Sequence, residues 1–121
     1  MNEEITEFDD LVALGALSKD IKIGAHTITM KTLNYDTYSG MIAGIDQGKS
    51  AMDTQLFVLS NSITKIDGKD VSTETKMRLL KSAQIGLVNL LTNEYEKMLS
   101  EQGEIYEDVK KNTSQASVKT P

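Results

Sequence analysis

The residues with the most obvious chemical potential are Ala43 to Ser50, AGIDQGKS, which fit a loose form of the phosphate-binding P-loop. Such a loop wraps backbone N–H groups round phosphates, with a lysine (here Lys49) on the terminal phosphates and a hydroxyl (Ser50) on Mg²⁺. It works after a buried strand of a parallel sheet and with an acidic Mg²⁺ partner at the end of another strand. The residues leading into it, YDTYSGMIAG, carry polar groups and two glycines, so the pattern predicts an ordinary interhelical loop. His26 is the single histidine, and no nucleophile or orienting group is identifiable for it. Asp67-Gly68-Lys69-Asp70 echoes part of a calcium loop but lacks the spaced ligands and the terminal bidentate Glu. Glu94, Glu96, Glu101, Glu104, Glu107 and Asp108 are strung along what reads as a solvated helix face, without a paired-acid site. Asn112-Thr113-Ser114 fits a glycosylation triplet by chance. The sequence predicts a non-enzyme with no bound cofactor and no metal.

Composition limits the partners. The chain has 121 residues, no Cys, a single Arg (Arg78) and a net charge of −5. Disulfides and thiolate metal sites are therefore excluded. Nucleic-acid binding is disfavoured, because it depends on dense Lys and Arg to displace phosphate counterions. No apolar run approaches the ~20 residues that cross a bilayer, and MNEEITEFDD is acidic where a signal peptide would be basic. The expectation is a soluble, cytoplasmic protein. A chain of this length buries roughly two-thirds of its unfolded surface, enough for one core.

Three units are expected: an acidic segment with a short helix (1–19), a compact domain (20–111) and a disordered tail (112–121). In the first, Phe8, Leu11, Val12, Leu14 and Leu17 recur at helical spacing after Thr6, a possible N-cap. In the second, Ile21 and Ile23 precede Gly24-Ala25, and His26, Ile28 and Met30 follow it in alternation with Thr27, Thr29 and Lys31. Period two round a Gly-X pair predicts an antiparallel hairpin with a type II′ turn. Asn34 is placed to cap a helix from Tyr35 to Ile45. Met52, Leu56, Leu59, Ile63 and Ile66 step by four, three, four and three, predicting a central helix that runs to a glycine stop at Gly68. Ser72 or Thr73 caps a short helix through Leu80. A longer one, restarting at Ser82, carries Ile85, Leu87, Val88, Leu91, Tyr95, Met98 and Leu99 to a break at Gly103. The fold class is mainly α with a β-hairpin (α+β), four to five helices in a small bundle packed against an antiparallel hairpin near residues 20–33.

The order of these pieces resembles the small tail assembly chaperones of long-tailed bacteriophages and the related baseplate hub assembly proteins of contractile-tailed phages. The resemblance rests on IKIGAHTITMKTL (Ile21 to Leu33), ITKIDG (Ile63 to Gly68), LVNLLTNEYEKMLSEQ (Leu87 to Gln102) and EDVKKN (Glu107 to Asn112). It implies a non-enzymatic protein of the infected host cytoplasm that binds the tape measure, the tube or a hub component until assembly. Two departures, the polar Ser60-Asn61-Ser62 and the extra N-terminal helix, leave open a structural subunit retained in the tail or baseplate. Homo-oligomers are also left open, as is nucleotide binding through residues 43–50. Leu14, Leu17, Met41 and Met77 are the residues expected to form part of a partner surface, because the helices carry more apolar residues than one small core needs. Met is an adaptable contact residue in such surfaces.

Overall fold

A computed structural model describes residues 8–46, 48 and 50–119; of residues 45, 46 and 113–119 it describes the backbone only. Among the described residues the chain forms α1 (Asp9–Val12), β1 (Ser18–Ile23), β2 (His26–Lys31), α2 (Tyr35–Asp46) and α3 (Ala51–Ser62). It continues with β3 (Ile63–Ile66), β4 (Lys69–Asp70), α4 (Thr73–Ser82) and α5 (Ile85–Lys119). The strands form one antiparallel sheet in the order β1-β2-β3-β4. This is the α+β, mainly helical class that the sequence predicts, with five helices and a sheet twice the size of the expected hairpin.

The first hairpin forms as its pattern demands. Ile23 and His26 face each other across Gly24-Ala25, and only Gly24 of the turn pair has positive φ (60°), the sign pattern of a type II′ turn. Ile21 pairs with Ile28, which puts both on the core face. Asn34 caps α2: its side-chain oxygen accepts from the Thr37 backbone N–H at 3.0 Å.

The central helix is where sequence and structure part. α3 ends at Ser62, and the ITKI segment expected to continue it is β3 instead. Ser60 and Asn61 turn their side chains back on the Phe57 carbonyl, at 3.0 and 2.8 Å, in the way that competes with regular helix. Ser62, fully buried, donates to the Lys31 carbonyl at 2.6 Å and fixes the helix end to β2. The three-residue step from Ile63 to Ile66 mimics a helix because the β2–β3 register shifts between Thr29 and Met30. A bulge adds one residue to a strand, so two residues three apart both reach the core side. Asp67 (φ 55°) and Gly68 (φ 76°) then form a two-residue left-handed turn, the type I′ geometry of a β-hairpin, and not a helix stop.

Three smaller differences follow from similar local causes. The N-terminal helix is the single turn α1, because Gly15 adopts φ 81° and the chain then enters β1; Thr6 lies outside the described residues. α4 ends at Ser82, Ala83 is extended, and α5 begins at Ile85 instead of Ser82. Gly103 causes no break, and the backbone stays helical to Lys119, across the stretch whose composition predicts a loose tail. A single glycine costs a helix only about 1 kcal/mol.

The core lies between the sheet and α3, α4 and α5. Met30, Leu59, Ile63, Leu80, Leu91 and Met98 are its fully buried members, with Ile21, Ile28 and Val88 around them. Lys19 of β1 reaches Glu94 of α5 at 3.1 Å, and Gln55 of α3 donates to Thr92 of α5 at 2.7 Å. Lys19 holds the Glu94 carboxyl below its ordinary value.

Candidate functional site: an apolar groove beside the last helix

The chemistry suggested by residues 43–50 finds no supporting frame. Ala43 to Asp46 are the last turn of α2, so the segment joins helix to helix where a P-loop joins strand to helix. The Ser50 hydroxyl accepts from the Asp53 backbone N–H at 3.1 Å, and the Asp53 carboxylate reaches back to the Ser50 N–H at 3.4 Å. This capping box starts α3. Gln47 and Lys49 lie outside the described residues.

His26 has a partner that spacing could not reveal. Its Nδ1 lies 2.6 Å from Asp67 Oδ2, while Asp67 Oδ1 accepts from the Thr27 backbone N–H at 2.8 Å. The Asp67 backbone N–H donates to the Thr27 carbonyl at 2.7 Å. The His26 contact, then the Thr27 N–H, hold the Asp67 carboxyl below its ordinary value. A histidine oriented by a carboxylate is half of a nucleophilic triad, and Ser82 lines the same cavity of about 420 Å³ with Ile23, Ile28, Ile66, Leu79 and Leu87. His26 nonetheless makes no hydrogen bond to Ser82, and the pair is largely exposed. What the pair does is clamp the turn of the second hairpin onto the start of β2. Among the described residues no three His, Asp or Glu converge as a metal site.

Lys76 of α4 is buried, and its Nζ donates to the Ile63 carbonyl at 2.8 Å. That carbonyl closes α3, where a cation complements the helix dipole. Burial, and secondarily Lys31 nearby, push the Lys76 ammonium below its ordinary value.

The feature with capacity for a ligand is an apolar groove between α2, α3 and α5. Leu33, Tyr35, Tyr38, Met41, Phe57, Val58, Tyr95, Leu99 and Gln102 line a cavity of about 390 Å³. A second of about 410 Å³ shares Val58, Tyr95 and Leu99 with it and extends along α3 and α5 past Thr54, Gln55, Thr92 and Glu96. A smaller one of about 210 Å³ adjoins through Met41 and Phe57 and includes Asp53. Tyr35 is 81% exposed, Tyr38 53% and Leu99 43%, so large apolar surface stands uncovered at the groove's lip. Burial pushes the Tyr95 hydroxyl up, with an opposing effect from the Leu33 backbone beside it.

Of the four residues expected at a partner surface, Met41 alone lines this groove. Leu17 is half-buried against the core, and its backbone N–H is held by the Thr32 hydroxyl at 3.0 Å. Leu14 is half-buried and lines none of these cavities; its carbonyl accepts from the Tyr106 hydroxyl at 2.7 Å, and Gln102 donates to the neighbouring Gly15 carbonyl at 3.0 Å. Met77 is half-buried on α4 and lines none of these cavities. Sequence reasoning did not single out Tyr38, Tyr95 and Leu99, whose helical spacing on α2 and α5 carries no sign of an open face.

The fold and groove together define a small α+β domain with an open apolar face. Comparison with protein-family models, curated proteins and solved structures returns no match for this chain.

Proposed function

We propose that the protein is a non-enzymatic assembly factor of a bacteriophage tail or baseplate. It binds a tail component, the tape measure, tube or hub protein, and keeps it soluble in the host cytoplasm until assembly. The observation that carries this reading is the groove of Tyr38, Met41, Val58, Tyr95 and Leu99, whose exposed lip the described residues leave uncovered. The sequence resemblance supplies the class of partner. The groove supplies a mode of binding, since contiguous apolar surface of this kind engages segments of other proteins.

Co-expression with the tape measure, tube and hub proteins of the encoding phage tests it. Wild-type chain is expected to raise the soluble yield of one of them and to copurify with it. Tyr38→Asp/Leu99→Asp is expected to abolish both effects while leaving the circular dichroism spectrum unchanged, because both side chains are exposed. Failure of all three components to copurify overturns the reading. Mass spectrometry of purified particles separates a chaperone, absent from them, from a retained subunit in fixed copy number.

A further inference from the structure

We infer that the occupant of the groove is a basic amphipathic helix of about three turns, supplied by a foreign protein. The inference rests on the partner-binding reading above and adds what kind of segment is bound.

The groove's length suits a helix. Its α5 wall runs from Thr92 to Gln102, which at 1.5 Å per residue spans about 15 Å. Tyr38 and Met41 of α2 form the opposite wall and Val58 the floor, giving an apolar trough that takes anchors at i, i+4 and i+7.

The charges give the sign of the occupant. Among the described residues, the charged ones that line the three adjoining cavities are Asp53 and Glu96, with no Lys or Arg beside them. The Glu96 carboxylate has no hydrogen bond or ion pair among the described residues. Asp53 is only lightly engaged, by the 3.4 Å contact to the Ser50 N–H. An apolar segment flanked by Lys or Arg would place cations beside both acids. The same charges disfavour the two occupants nearest to hand. Residues 1–7, MNEEITE, carry three Glu, and a second copy brings a net charge of −5 to an acidic rim.

The test uses the full chain and two labelled synthetic 14-residue peptides that share Leu at positions 2, 6, 9 and 13. One carries Lys and the other Glu at the flanking positions. Fluorescence anisotropy is expected to show the Lys peptide binding at least tenfold tighter than the Glu peptide, with the preference shrinking as salt rises. Glu96→Lys should weaken the Lys peptide by up to about fivefold, the range set by exposed ion pairs. Leu99→Asp should abolish its binding. Glu74→Lys, on α4, should leave it unchanged and so exclude attraction by net charge alone.

Equal binding of the two peptides overturns the inference, as does binding that survives both Leu99→Asp and Tyr38→Asp. A homodimer in sedimentation that Leu99→Asp dissociates makes a second copy the occupant and also overturns it. The two readings fail separately. A solubilised tail component with no peptide preference removes only the basic-helix inference. Peptide binding as described with no tail component solubilised supports the groove chemistry and removes the tail function.

Discussion

Single residues fix the junction on which the fold turns. Lys76 carries a charge into the interior with a carbonyl as its hydrogen-bond partner, an arrangement in which desolvation works against the ammonium. The folded chain binds that proton less tightly than the unfolded chain, so unfolding takes up a proton below the ordinary 10.5. Stability contributed by this group therefore rises with pH from the depressed value up to 10.5. Lys76→Met keeps the apolar stem and removes the charge. It is expected to leave stability at neutral pH equal or higher, and to abolish this alkaline rise, in urea titrations at pH 7 and pH 10. Both variants lose the Nζ bond to the Ile63 carbonyl, but Lys76→Ala also removes the packed stem and leaves a void, so it should be less stable than Lys76→Met by about 2–5 kcal/mol. The clamp of Asp67 on His26 and Thr27 is the counterpart at the other end of β3, where an aspartate in left-handed conformation ties one hairpin turn to the next strand.

At the scale of elements, the N-terminal segment is held to α5 by very close packing. At Gly15 a Cβ would lie 2.7 Å from the Tyr106 ring, and φ is 81°, so space and backbone both demand glycine. Gly15→Ala is expected to lower stability by about 1–2 kcal/mol through the backbone alone, with more from the displaced ring. Thermal melts of Gly15→Ala in wild-type and Tyr106→Ala backgrounds separate the two parts, the second shrinking when the ring is gone. The first hairpin, α2 and α4 were legible in the sequence because alternation, turn residues and caps agreed there. β3 was not legible. Its Ile63-Ile66 spacing carries the helical period only because a bulge resets the strand, and periodicity over four residues cannot tell the two apart. Asp67-Gly68 was the available signal, since Asp-Gly between short apolar runs marks a hairpin turn more strongly than a helix end. The groove was hidden for a different reason: Tyr38, Tyr95 and Leu99 have the spacing of buried residues, and only the placement of α2 against α3 leaves them facing open space.

For the molecule as a whole, the last buried core member among the described side chains is Met98, although the α5 backbone runs on to Lys119. Removing residues 112–121 is expected to leave the melting temperature within about 2 °C of the full chain, as differential scanning fluorimetry would show, since NTSQASVKTP carries a single large aliphatic residue, Val118, to anchor it. The body is held by one core from β1 to α5, with the groove on the side where α2 stands off from α5. A partner segment lying there would cover Tyr38 and Leu99 without disturbing Leu59 or Met98 beneath them.

The pairing of β2 with β3 has a consequence in time. Each hairpin is local, but Met30 meets Ile63 only after α2 and α3 have been made, and closing a loop of that length costs about 3 kcal/mol. The first hairpin can leave the ribosome complete while Ile21, Ile28 and Met30 still lack their cover, and an isolated hairpin is marginal in water. Because it closes a longer loop, the joining of the two hairpins is expected to be slower than the making of either, a difference that refolding rates of Met30→Ala and Ile21→Ala would check. A newborn chain passes through an interval in which the apolar face of its first hairpin stands open to water.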